Sequence, residues 1–399
     1  MRVQHTAHSI GSFPVCSAAF LSPTELVLGG GGGQSRSGIK NKLKIYNIQS
    51  HDKLELVDEF ELEKDGDAPM SIASRLSSNE IVCGINSTLE KQKNGQNENC
   101  RLFAFRDKKL SPVRSKGTLT SPDNLDDYQK VTTISPDGAF VAVAGEHDFA
   151  LLTYPELILA ANSIKVPKAD IYDATFALTT LIIATTVNLL IYSLPKPSDA
   201  KGKGKLADLE LIQTVDRPPL AGGDAGSSFR AARFHPNDYE LLFTLSNTVP
   251  ARSSGRGRSK QAPRLAYVCK WDVKTWKVKS MRKVGDKAAT CFDMSANGKL
   301  LAYALSDYTV GVLDADTLAP LITILKAHEW AVTAIKFNPT ASLLVSGSTD
   351  NTVRVIALPE NISSSSWSTV VGFIVAILVV LLAILANQMY GPGFEGLKW

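Results

Sequence analysis

The sequence predicts an all-β protein, a seven-bladed β-propeller followed by one C-terminal transmembrane helix. Three observations carry this reading. A period of about 40 residues runs through the chain. Each period reads strand, turn, strand, turn, strand, with the alternation of half-buried strands. After Glu360 the chain changes to a Ser-rich spacer and then to a charge-free apolar run.

The clearest copy of the period is the last. Residues 331–339 form one strand and its turn, Ser342 to Gly347 a second strand, and Thr352 to Ile356 a third, with Asp350 in the turn between them. The same cadence starts at Val15, Met70, Val131, Tyr172, Phe229 and Ala289, which makes seven copies. These copies resemble WD repeats, each a four-stranded blade, and about seven of them close a ring. The Trp-Asp dipeptide itself survives only as Trp271-Asp272, and the last copy has Ile356-Ala357 in its place. The last copy supplies only three strands before Pro359. Residues 1–8 precede the first copy and are expected to add the fourth, so that both sheet edges are hidden. A chain lacking residues 1–9 is then expected to lose the ring.

Domain limits follow: propeller 1–358, linker 359–366, span 367–386 and a short tail 387–399. Twenty apolar residues as a helix reach roughly 30 Å, the depth of a bilayer's hydrocarbon. Trp367 and Tyr390 flank the run as interfacial aromatics do. The start of the chain lacks the apolar core of a secretory signal, so the propeller is expected in the cytosol and the tail in the lumen. The sequons at Asn86 and Asn361 are then expected to stay unmodified. Three hydrophilic insertions, 89–99, 196–205 and 251–264, read as surface loops, the last of them basic.

Composition excludes more than it selects. A net charge of +4 on 399 residues, with 44% hydrophobic and 21% charged residues, is that of a globular protein and shows no concentrated basic face for nucleic acid. Five scattered cysteines without metal-ligand spacing fit a reducing compartment. His5, His8, His51, His147, His235 and His328 lie in different copies and in no catalytic or metal-binding motif. His235 and His328 occupy turn positions, where structural hydrogen bonding is the usual role.

One stretch departs from ordinary scaffold. Five consecutive glycines at 29–33 lead through Gln34, Ser35, Arg36, Ser37, Gly38, Ile39, Lys40 and Asn41 into the strand that begins at Lys42. Five glycines surrender side-chain contacts, so an ordered loop here needs unusual backbone angles or close backbone approach. Phosphate-cradling glycine loops open a helix, whereas this one joins strand to strand. The dinucleotide fingerprint also fails, because the third glycine position falls on Gln34 or Ser35. A floppy hairpin is the plain alternative. Ile39, an apolar residue between Gly38 and Lys40, argues instead for a loop that probes a partner.

The run 29–33 followed by Ser37-Gly38-Ile39-Lys40-Asn41-Lys42-Leu43 closely resembles the loop of the endoplasmic-reticulum guanine-nucleotide exchange factors that activate the small GTPase initiating the COPII coat, the prolactin regulatory element-binding protein family. The resemblance covers the whole chain: a loop in the first blade, a degenerate propeller and one C-terminal span. It implies an exchange factor rather than an enzyme making or breaking bonds, acting in ER-to-Golgi transport on a GDP-bound and then nucleotide-free GTPase. It also implies a potassium ion within the loop, caged by Gly31, Gly32, Gly33, Ser37 and Gly38 and braced by Asn41. Ser37, Gly38, Ile39, Lys40 and Asn41 would face the GTPase, with Ile39 pressed into it. A tail-anchored propeller serving only as an assembly platform is the rival reading.

Overall fold

In the computed structural model, residues 3–35, 37–119, 124–196, 206–250, 263–360, 362 and 366–390 are described. Seven antiparallel four-stranded sheets form. The first blade is β2 (Val15–Phe20), β3 (Glu25–Gly30), β4 (Lys42–Ser50) and β5 (Lys53–Glu61). The second is β6 (Ser71–Arg75), β7 (Glu80–Gly84), β8 (Cys100–Arg106) and β9 (Lys109–Lys116), and the third is β10 (Val131–Ile134), β11 (Phe140–Ala144), β12 (Asp148–Thr153) and the two-residue β13 (Ile164–Lys165). The fourth is β14 (Ile171–Phe176), β15 (Thr180–Thr185), β16 (Asn188–Ser193) and β17 (Leu211–Asp216), and the fifth is β18 (Ser227–His235), β19 (Asp238–Thr248), β20 (Ala266–Asp272) and β21 (Lys277–Gly285). β22 (Ala289–Met294), β23 (Leu300–Leu305), β24 (Val310–Asp314) and β25 (Pro320–Ile324) make the sixth.

The seventh blade is β26 (Val332–Phe337), β27 (Leu343–Ser348) and β28 (Thr352–Ala357), completed by β1 (His5–Ser9). β1 pairs antiparallel with β28 from His5↔Ile356 to Ser9↔Thr352. The chain start therefore clasps the ring as expected. Ile10 and Phe13 continue from β1 into a core shared by the seventh and first blades, with Val15, Leu26, Val345, Val353 and Val355.

Each blade is buried through its middle strands. β3 and β27 bury nearly every residue, while the outer strands β5, β9 and β21 alternate towards solvent. A fully covered strand carries Val, Ile, Leu or small residues on both faces, which is what these segments offer. The innermost strands share a device. β2, β14, β18, β22 and β26 each slip register by one residue near their starts. A bulge re-aims the extra side chain, and the extra residues, Cys16, Tyr172, Arg230, Thr290 and Thr333, all line the central channel. Farther along, Arg233 bonds Asp173, while Lys336 Nζ lies 3.0 Å from Asp293, so charged pairs tie the fourth to seventh blades around the channel.

The structural role expected of His328 holds. Its Nε2 faces Ser346 Oγ at 2.8 Å and its Nδ1 faces Thr352 Oγ1 at 2.9 Å and Asp350 at 3.2 Å, within the seventh blade. Burial holds the imidazole below its ordinary range, against the pull of Asp350. A histidine whose folded pKa is depressed contributes stability above the unfolded value, near 6.5, and loses it as pH falls further. Melting temperature is expected to fall from pH 7 towards 5, and less steeply in His328→Gln.

One expectation needs correction. The insertion at 89–99 is not a bare loop: Leu89–Lys93 forms a short helix, α1, with Thr88 Oγ1 accepting from the Lys91 amide at 3.4 Å. Asn86 is buried, its Nδ2 donating to the Asp127 carbonyl at 2.8 Å. The insertions at 196–205 and 251–264 lie almost wholly outside the described residues, as do Asn361 and the tail from 391.

Residues Asn361–Trp399 make a separate unit. Its helix α2 runs Ser366–Tyr390, 25 residues, and contains the run 367–386. On α2 only Gly372 and residues 374–385 have described exposure, and among the described residues no helix is long and apolar enough to cross a membrane.

Candidate functional site

The glycine run divides between strand and loop. Gly29 and Gly30 are the last residues of β3, pairing with Leu43 and Lys42 of β4. They stand where neighbours leave no room: a Cβ on Gly30 would lie 2.2 Å from the Pro14 carbonyl oxygen. The loop proper starts at Gly31, which has φ +136° and whose amide donates to the Pro14 carbonyl at 3.0 Å. A Cβ there would meet the Asn41 backbone and amide oxygen within 2.6 Å. Gly33 has φ +62°. Glycine is required at Gly31 by both backbone angle and space.

Asn41 organises the loop from its base. It is buried, at 7% exposure, where its side chain uses both ends. Oδ1 accepts from the Gly33 amide at 2.8 Å, and Nδ2 donates to the Gly33 carbonyl at 3.1 Å and to the Gly66 carbonyl at 2.8 Å. The Asn41 carbonyl accepts from the Leu62 amide at 2.9 Å. The loop is thus pinned to the connection between the first and second blades, and hence to the end of the ring where each outer strand passes to the next inner one. Gly32 adds a bond across the loop to the Ile39 carbonyl at 3.4 Å, and its own carbonyl accepts from Ser35 Oγ. The Lys40–Glu61 pair at 2.8 Å is solvent-exposed, so it adds little.

Ser37, Gly38, Ile39, Lys40 and Asn41 form the returning limb. Ser35, Ser37 and Gly38 are exposed and make the described tip. Ile39 is half-buried, one step back from that tip: a Cβ on Gly32 would come within 3.3 Å of Ile39 Cβ. The residue read from the sequence as the probe therefore stands just behind the tip rather than on it. The close opposition of the two limbs, which glycine permits, draws its side chain partly against the loop.

Asp67 was not singled out by sequence. Its Oδ1 accepts from the Ala68 amide at 2.8 Å and would lie 3.3 Å from a Cβ on Gly33. Burial raises its pKa, and with burial it lifts the neighbouring Cys16 thiol to about 11. Among the described residues no ion pair includes Asp67. The Asp67 carboxylate beside Gly33, and the Gly33 and Gly66 carbonyls gathered at Asn41, are oxygen donors of the type that can hold a weakly hydrated cation.

Together these features define a class: a seven-bladed WD-repeat propeller with a braced glycine loop on one face. The family described as WD domain, G-beta repeat matches residues 319–356, which lie in the sixth and seventh blades. The chain is 23% identical over 405 residues to the "Guanine nucleotide-exchange factor SEC12" of Candida glabrata, covering 98% of this chain and 81% of that protein. It is 22% identical over 394 residues to the "Putative guanine nucleotide-exchange factor SED4" of the same organism, covering 95% of this chain but only 34% of that longer protein. A shorter stretch of 89 residues is 33% identical to "SEC12-like protein 2" of Arabidopsis thaliana, 22% of this chain and 23% of that one.

Proposed function

We propose that this chain is a guanine-nucleotide exchange factor of the endoplasmic-reticulum membrane that promotes GDP release from the small GTPase initiating the COPII coat. The observation that carries the reading is the braced loop: Asn41 locks Gly33 and Gly66 beneath an exposed tip of Ser35, Ser37 and Gly38. Similarity to SEC12 along nearly the whole chain supports it. Exchange needs no bond made or broken. A rigid loop that binds the nucleotide-free GTPase better than the loaded one lowers nucleotide affinity by the same factor, because the coupling is reciprocal. Ser37, Gly38 and Lys40 meet the partner first, and Ile39 turns out of its half-buried position to contact it.

A potassium ion would be held by the carbonyls of 31–33, with Asn41 beneath and Asp67 as counter-charge. When bound it supplies a fixed charge that stiffens the loop. Asp67→Asn removes a carboxylate that is buried without a cation of its own. The variant is expected to melt at or above wild type in sodium and to lose any additional stabilisation by potassium, measured by thermal denaturation in the two salts. An equal potassium effect in both proteins would remove Asp67 from the site.

The run 367–386 of α2, part of whose side chains lie outside the described residues, would be the membrane span of this reading. Its described apolar side chains from Ile374 to Leu385 are exposed on all sides, as suits a helix surrounded by lipid. Anchoring the propeller on the cytosolic side, with 387–399 in the lumen, places activation where a GTPase can engage the membrane at once.

The direct test is binding. The nucleotide-free GTPase is expected to bind the full chain at least roughly tenfold more tightly than the GDP-loaded form, with Ile39→Ala losing the preference while melting as wild type does. Equal binding of both forms would leave a platform without exchange activity.

A further inference from the structure

The central channel opens, on the face that carries the glycine loop, into a cavity of about 640 Å³ whose lining includes Glu146, Asp170, Lys130 and Arg230. Glu146 and His147 lie in the turn between β11 and β12, and Asp170 immediately precedes β14. The backbone forces these segments together: the Ile171 amide donates to the Glu146 carbonyl and the Val166 amide to the His147 carbonyl, both at 2.8 Å. One carboxylate oxygen of Glu146, one of Asp170 and a ring nitrogen of His147 all lie within 4.8 Å of one another. The sequence shows no metal-binding motif at these positions. No local spacing could show the set, because the fold supplies Asp170 from another blade.

His147 is anchored by the backbone. Its Nδ1 faces the Val166 and Ala169 carbonyls at 3.1 and 3.2 Å. Carbonyl oxygens only accept, so Nδ1 carries a hydrogen, which leaves Nε2 as the ring nitrogen that could ligate a metal. That backbone anchorage is how ligating histidines are usually oriented. Neither carboxylate forms an ion pair among the described residues, although Lys130 is close enough to interact with both electrostatically. The Lys130 ammonium lies 5.4 Å from the Tyr172 ring centroid, and Arg230 lies 4.7 Å from the same centroid on its own account.

We propose that Glu146, His147 and Asp170 form a binding site for a divalent transition-metal ion at the channel mouth. Tetrahedral zinc with ligands at about 2.1 Å sets its donors roughly 3.4 Å apart, so rotation of the two half-buried carboxylates has to draw the set in from its present spread of up to 4.8 Å. Water from the cavity completes the shell. One nitrogen with two carboxylates favours zinc over magnesium or calcium, which take oxygen donors. The bound ion ties the third blade to the start of the fourth and cancels two negative charges on the face that bears the glycine loop.

The test is equilibrium dialysis of Zn²⁺ against metal-stripped full chain under a non-chelating reductant, with thermal melting alongside. One ion per chain is expected. His147→Gln and Asp170→Asn are each expected to weaken binding at least roughly tenfold and to abolish the rise in melting temperature on adding Zn²⁺. Cys16→Ser, in the same cavity, should bind as wild type does. Glu146→Gln gives the same reading if either of the first two variants fails to fold. Absence of binding, or binding that survives His147→Gln and Asp170→Asn but is lost in Cys16→Ser, overturns the site.

Discussion

Replacing Asn41 with alanine is expected to free the glycine loop and abolish nucleotide exchange without unfolding the propeller. Three hydrogen bonds end on this one side chain, and the Gly33 amide, Gly33 carbonyl and Gly66 carbonyl lose their partner together. Each orphaned polar group costs about 1 kcal/mol or more, so the loop loses on the order of 3 kcal/mol of local order. The blade cores lie elsewhere and should hold. Amide hydrogen exchange at Gly33 is expected to speed roughly a hundredfold, with the melting transition little moved. Asn41→Asp separates the two halves of the side chain: it retains the acceptor for Gly33 but turns an oxygen towards two carbonyls. It should behave like alanine unless a cation bridges the three oxygens. A full chain carrying Asn41→Ala that keeps both protected amides and exchange activity would show that the brace is dispensable.

Removing residues 3–9 is expected to have the largest effect on stability. β1 buries few of its own side chains, so its contribution lies in the ladder with β28 and in the edge it covers. Five residue pairs carry about five backbone hydrogen bonds, worth roughly 0.5–1.5 kcal/mol each. Beyond the ladder, the Arg354 guanidinium faces His5 Nδ1 at 2.8 Å, and the Ile10 amide donates to the Asn351 carbonyl at 3.1 Å. Against a total stability of about 5–15 kcal/mol, a loss of roughly 3–7 kcal/mol leaves the seventh blade open and exposes the β28 edge to self-association. The truncated chain should aggregate or melt far below wild type in calorimetry. A soluble truncation with a single cooperative transition near the wild-type temperature would refute the clasp.

How much of this was legible in the sequence depended on whether a feature was local. Strand–turn cadences such as 331–356 repeat within a window of about 40 residues, so blade number and order were readable. So was the clasp, because a three-stranded final copy and an unassigned start complete one another. The loop's glycines were legible for the same reason, and so was Asn41 through its resemblance. Asp67 and Gly66 were not, since they sit in a polar connection with no periodicity and gain meaning only where the loop folds back on it. The set of Glu146, His147 and Asp170 was hidden likewise, because two blades supply it. Ile39 shows the opposite failure. Its position was readable, but its half-burial depends on how closely Gly32 lets the limbs approach. Leu89–Lys93 was misread because its Glu, Lys and Gln residues suit a solvated loop and a short exposed helix equally.

The measurement that bears most directly on the function is the release of a fluorescent guanine nucleotide from the coat-initiating GTPase, followed after adding the full chain in liposomes. Release at least roughly tenfold faster with wild type, lost in Ile39→Ala and faster in potassium than in sodium, is the expected result. A folded, membrane-bound chain that leaves the release rate unchanged would contradict it.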